Sequence, residues 1–239
     1  MSATYRQSAE VSEAQLKKDP ENIHQSRAPR QRLKAEFVRD MYLASSGLLV
    51  KDIGGPSVKV YQPKGLWELA SSGRGVLATY RQDHKESLYR RGLYNFIKLT
   101  VPPPGMIMFD ASNRDQCEVK RSQTNTPLQA LIMMNDPAVL EASRVLAQNL
   151  MIESSTESEK INLAFRRIVC RKPSEKEQQL LLDYYKEQLG LFQQKKLDAA
   201  TILKAGEFPM DKNAEVNKLA ALMKVINTIY NLEEAIMKT

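Results

Sequence analysis

Residues 121–136, RSQTNTPLQALIMMND, set two threonines, an asparagine and a proline directly before a nearly unbroken apolar run. The reading of this stretch decides the fold, because it divides the chain into two textures. Thr126 is placed to cap a helix that Pro127 opens at its first position, where a missing N–H costs nothing. Leu128, Leu131 and Ile132 then supply the face expected to meet the core. Asn135, Asp136 and Pro137 stop that helix and start the next. One cap uses only one side-chain oxygen, so Arg121, Thr124 and Asn125 are left over. We expect those three to tie the loop around Asp110 to the helical half by hydrogen bonds. Arg121, Thr124, Asn125, Thr126, Asn135 and Asp136 would then form a structural polar seam.

Downstream of the seam every signal is helical. Asp136-Pro137 opens a helix with a stripe of Val139, Ala142, Leu146 and Leu150. Ile161, Phe165, Ile168 and Val169 make a second stripe. Ser174 and Glu177 form a capping box before a helix carrying Leu180, Leu181, Tyr184 and Tyr185. Asp198 caps a short helix that Gly206 ends. A last long helix after Asn213 turns Leu219, Met223, Ile226 and Ile229 inward.

Upstream the texture changes twice. Ser12 and Gln15 fit a capping box, and a helix is expected from Pro29 to about Ser46. Leu33, Phe37 and Met41 would be its buried stripe, and Gly47 its left-handed end. Between residues 51 and 123, Pro56, Pro63, Pro102, Pro103 and Pro104 exclude a long regular helix. Short extended pieces are expected at 76–80 and 106–109, while 87–99 fits helix and strand equally. The fold class that emerges is mainly α. It is an irregular helical domain with a long proline- and glycine-rich loop segment and at most short strands. We expect a single domain over 1–239: helices in 1–50, the irregular segment in 51–123, and helices in 124–239.

Composition narrows the function classes. The 239 residues are 42% hydrophobic and 26% charged, as in a globular protein and unlike a disordered one. No stretch approaches the roughly 18 consecutive apolar residues of a membrane span, and the N-terminal residues have no apolar signal core. The net charge of +7 lies wholly in residues 1–121, which hold 20 Lys+Arg against 13 Asp+Glu. Such asymmetry can mark polyanion binding. Here the bases are interspersed with acids and no nucleic-acid module is recognisable, so we expect no nucleic-acid partner. Cys117 and Cys170 form neither C-x-x-C nor C-x-x-C-H, and His24 and His84 are the only histidines. No cofactor or metal site is therefore expected in this chain.

Three places concentrate polar chemistry. Asp83-His84 near Arg90-Arg91 would allow a carboxylate–imidazole pair for general-base work. The plainer account has His84 capping a turn and an arginine paired with a carboxylate such as Asp110. Asp110, Asn113, Arg114 and Asp115 alternate charge, but no glycine gives the turn a calcium loop needs. Met106 and Met108 are read as core packing, and Cys117 as a buried structural thiol. Asp83, His84, Arg90, Arg91, Asp110 and Arg114 remain the candidate catalytic groups. No G-x-S-x-G, phosphate loop or H-E-x-x-H motif is present.

Taken together, SATYRQS, APRQRLKAEFVRD, SSGLLVKDIGGPSVKVYQPKGLWE and the run from Leu88 to Pro137 resemble one family. It is the planctomycete-type, cytochrome-associated C-terminal domain of unknown function. The resemblance implies that the chain corresponds to the C-terminal two-thirds or so of the domain. It also implies a large exported, periplasmic or cell-envelope protein whose haem sits in a separate cytochrome domain. Tyr89, Arg90, Arg91, Asp110, Arg114, Cys117, Thr124, Asn125, Thr126, Pro127, Asn135 and Asp136 match the family pattern. Lys85 stands where the family has glycine, Ile97 and Leu99 where it has Trp and Arg, and Ile23 where it has Arg. The resemblance implies an accessory, structural or interaction domain that contacts other domains of its own polypeptide. Two alternatives stay open. One is a cell-envelope enzyme cleaving polysaccharide, whose paired carboxylates should face each other across roughly 5–10 Å. The other is anionic-glycan binding by the basic first half.

Overall fold

The computed structural model describes residues 2–69, 78–112, 114 and 117–238. The Ser12 hydroxyl accepts from the Gln15 amide while the Gln15 side chain accepts from the Ser12 amide, so a complete capping box opens α1 (Glu13–Lys18). After β1 (Gln31–Arg32) comes α2 (Ala35–Ser46), which Gly47 ends at φ 83°. Among its described residues, the proline-rich segment holds α3 (Leu66–Leu69), two 3₁₀ turns at Lys85–Tyr89 and Gly92–Tyr94, and α4 (Pro104–Met108). Then follow α5 (Pro127–Asn135), α6 (Pro137–Glu153), α7 (Glu157–Val169) and α8 (Glu175–Gln193). The chain closes with α9 (Ala199–Ile202), α10 (Val216–Tyr230), α11 (Glu233–Ile236) and β2 (Met237–Lys238).

The core lies around α10, which packs against α6, α7 and α8, while α2 lies across α6. Leu219, Met223, Ile226 and Ile229 of α10 are fully buried, as the stripe requires. Each such side chain contributes about 1.5–3 kcal/mol by leaving water. The α6 stripe is likewise inside. Antiparallel β1–β2 pairing, Gln31 with Lys238 and Arg32 with Met237, joins the early chain to its end. The proline-rich segment builds a separate small cluster in which Trp67 packs on Tyr80 and Phe96.

The fold is mainly α, with one two-stranded pair among the described residues. Its details correct several expectations. α2 begins at Ala35 rather than Pro29, because Gln31 and Arg32 are extended in the strand pair. Its inward face is Ala35, Val38 and Tyr42; Phe37, one position off that face, is 56% exposed. α5 is turned over: Leu128 and Leu131 are 55% and 53% exposed, while Gln129 and Met133 are buried. The reason is polar, since the Gln129 amide donates to the Met108 and Thr124 carbonyls, which would otherwise be left without it. Leu180 of α8 also points outward. Residues 106–109 form a helical turn rather than a strand, opened by Pro104. Of the other expected strand, 76 and 77 lie outside the described residues and 78–80 are not extended ladder. Residues 87–99 are neither helix nor strand but the two 3₁₀ turns with isolated bridges.

Two left-handed positions bear on the fold. Lys85 stands at φ 58°, in the region that glycine enters without penalty. Gly206, at φ 79°, lies so close to α6 that a Cβ would fall 2.1 Å from the Glu141 Cδ. Both strain and overlap follow from any side chain there. We expect Gly206→Ala to lower unfolding stability by more than about 2 kcal/mol, read as a shifted urea midpoint.

Candidate functional site

Glu141 lies on α6 with Ala138 at i−3 and Val145 at i+4, so the helix itself places a carboxylate on an apolar face. It is 1% exposed. Its oxygens accept from the Tyr61 and Tyr89 hydroxyls at 3.0 Å and from the Glu207 and Phe208 amides at 2.6 Å. Burial first, and then the Glu141 charge, push both phenols above their ordinary range, so both remain donors. One turn on, buried Arg144 donates to the carbonyls of Ala205 at 3.4 Å and Phe208 at 2.5 Å. Burial holds its guanidinium below the usual range. Glu141 and Arg144 thus grip the amides and carbonyls of one loop. Sequence reasoning passed over both, although apolar neighbours at i−3 and i+4 were the available signal for Glu141.

The candidate catalytic groups are lodged separately. Asp83 accepts from the Lys59 amide at 2.7 Å and so fixes a loop crossing. His84 Nδ1 lies 2.7 Å from Glu207 Oε1, and it precedes a 3₁₀ turn without capping it by its side chain. Arg90 donates to the Pro56 carbonyl at 2.6 Å and to that of Gly54, and stacks 3.8 Å over the Tyr94 ring. Arg91 is half-buried, with Nε unpartnered. Asp110 pairs with Arg32, not with Arg90 or Arg91, and also takes the Thr124 amide at 2.8 Å and its hydroxyl. Arg114 is exposed, its amide donating to the Ser112 hydroxyl. No hydrogen bond or ion pair joins any two of these six side chains.

The seam residues divide as well. Arg121 donates to both Glu36 oxygens at 2.9 Å, reaching α2 rather than the Asp110 loop. Thr124 meets Asp110 and accepts from Gln129. Asn125 is exposed and bonds no described residue. Thr126 occupies the cap position of α5 without a side-chain hydrogen bond, because β-region backbone at that point and Pro127 suffice to start the turn. Asn135 donates back to the Leu131 carbonyl at 2.8 Å. Asp136 closes α5 through its own amide and caps α6 by accepting from Ala138 at 2.8 Å. Burial raises its carboxyl above the ordinary range. Cys117 and Cys170 are exposed and unbonded, correcting the buried thiol; Cys170 ends α7 in the left-handed conformation.

A recess of about 730 Å³ opens between α2, α4, α5, α6 and residues 60–63. Val38, Met106, Phe109, Ile132 and Val139 give it apolar walls, and Arg39, Gln62, Asn95 and Asp136 its polar groups. None of the six candidate catalytic residues lines it. Among the described residues no cluster of His, Cys, Asp or Glu is placed to hold a metal ion. Nor is any helix among the described residues long and apolar enough to cross a membrane.

Fold and site together define a mainly α domain in which an irregular segment is laid over helices around a recess. The model of the family described as "Protein of unknown function (DUF1553)" matches residues 1–185. The chain belongs to that family, which bears out the family resemblance read from the sequence. No curated protein and no solved structure matches it.

The lodging of Asp110 and Arg114 makes opposite demands on stability. We expect Asp110→Ala to cost about 2–3 kcal/mol, because Arg32 and the Thr124 amide lose a charged acceptor. Arg114→Ala should stay within about 0.5 kcal/mol of the parent. Equal effects in chemical denaturation would contradict this assignment.

Proposed function

We propose that the chain is an accessory domain whose work is binding, within a large exported polypeptide that also carries a c-type cytochrome domain. The observation that carries this reading is the outward apolar face of α5. Leu128, Leu131 and Met134 stand exposed on successive turns, while the same helix turns a glutamine inward. Single exposed apolar residues are ordinary, but a helix that shows its leucines and hides its glutamine is adapted to a neighbour. The partner favoured by the family context is another domain of the same polypeptide. The separate lodging of Asp83 and Asp110 supports binding over bond cleavage. Haem would belong to the cytochrome domain, since neither cysteine here sits in an attachment motif.

The test is association of this chain with the remaining domains of its polypeptide, produced separately and followed by calorimetry. We expect a defined complex that Leu128→Glu with Met134→Glu weakens at least tenfold, both positions lying outside the recess. Absence of association would sink the reading. So would a full-length protein whose folding and redox behaviour are indifferent to deletion of this domain.

A further inference from the structure

Among the described residues lining the recess, Arg39 and Asp136 carry the formal charges, one of each sign. Arg39 is 5% exposed and turns its guanidinium into the fold, donating to the Tyr42 hydroxyl at 3.2 Å and the Leu88 carbonyl at 2.5 Å. Asp136 is placed differently. Its Oδ1 caps α6 by accepting from the Ala138 amide at 2.8 Å, whereas no described residue donates a hydrogen bond to Oδ2. Asp136 is half-buried and lines the recess, and Oδ2 is not sealed in the interior. A Cβ on Gly105, itself a lining residue, would stand 3.3 Å from Oδ2, so the glycine keeps the approach to that oxygen clear. Burial raises the Asp136 carboxyl, while the Ala138 amide, Arg39 and the Val139 amide act the other way without offsetting it. A carboxylate oxygen largely withdrawn from water and lacking a donor is an acceptor that a ligand can complete.

We propose that the recess binds a neutral, elongated apolar molecule whose terminal hydroxyl donates to Asp136 Oδ2. The opposite charges of Arg39 and Asp136 leave the described lining with no net charge. A charged head would shed its hydration without a free counter-charge. A carboxylate would meet Asp136, and an ammonium would meet both Arg39 and the positive N-terminal end of α6. A hydroxyl needs one acceptor, and its bond to a carboxylate is among the strong ones. The apolar body lies along Val38, Met106, Phe109, Ile132 and Val139. The volume of about 730 Å³ falls within the roughly 300–1,000 Å³ of small-molecule sites. Long-chain alcohols, and neutral lipids that end in a hydroxyl, have this chemistry.

The proposal rests on the binding reading above but is tested apart from it. Decanol, its methyl ether, decanoate and decylammonium are titrated calorimetrically into the intact chain. We expect decanol to saturate one site, with the ether and both charged analogues at least tenfold weaker. Asp136→Asn keeps a capping oxygen for Ala138 but turns an amide donor toward the recess. Decanol should then bind no better than its ether. Leu131→Trp, at an exposed lining position, should weaken decanol and ether alike without shifting the unfolding midpoint. The proposal is overturned if decanol does not saturate, if the ether or either charged analogue binds as well, or if Leu131→Trp has no effect. Persistence of the alcohol–ether difference in Asp136→Asn overturns it too. The four-ligand comparison and Leu131→Trp decide the matter even if Asp136→Asn fails to fold. Domain association that persists while decanol fails to bind removes the recess ligand and leaves the accessory reading standing.

Discussion

The buried carboxylate of Glu141 is the constraint on which the rest of the structure depends. An ionised group inside a protein is tolerated only when its oxygens are fully satisfied, and Glu141 takes four donors. Those donors come from two parts of the chain, which Glu141 joins to α6. Tyr61 and Tyr89 bring in the proline-rich segment, and the amides of Glu207 and Phe208 bring in the loop before α10. Arg144, one turn along α6, holds the carbonyls of that same loop. Removal of any one donor leaves charge uncompensated, so the three parts are fixed together. Gly206 is the consequence in sequence, since the loop approaches α6 too closely for a side chain.

The recess follows from the same arrangement. Tyr61 is held at Glu141, and that places residues 60–63 as one wall over α2 and α6. Arg39, one position from the inward Val38, bonds the Leu88 carbonyl immediately before Tyr89. The proline-rich segment is therefore fastened on both sides of the cavity by buried polar contacts, with little help from regular secondary structure. Pro103 and Pro104 complete the rim and start α4, which carries Met106 inward. A segment rich in proline has few amides to pair, which suits a wall that crosses helices irregularly.

How much of this was legible in the sequence depended on what kind of force fixed each element. Helix starts were readable because capping is local: the Ser12, Asp136, Ser174 and Asp198 caps all stand where spacing placed them. The stripes of α6 and α10 were readable because apolar burial alone sets their orientation. α5 was misjudged because a tertiary demand, the carbonyls of Met108 and Thr124, turns Gln129 inward against the apolar pattern. α2 was displaced because Gln31 and Arg32 pair with residues more than 200 positions away. Glu141 and Arg39 went unnoticed for a related reason. Charged residues inside an amphipathic helix read as solvent-facing until distant partners are known. The candidate groups chosen for local density, such as Asp83 and Arg90, each bind the backbone nearest in space.

The account stands or falls on whether one carboxylate joins the proline-rich segment and the loop before α10 to the helical core. Native-state hydrogen exchange of Glu141→Gln reads this most directly. Loss of the charge should reduce protection of the Glu207 and Phe208 amides at least tenfold while the amides of α10 keep theirs. Unchanged protection at Glu207 and Phe208 would contradict the account.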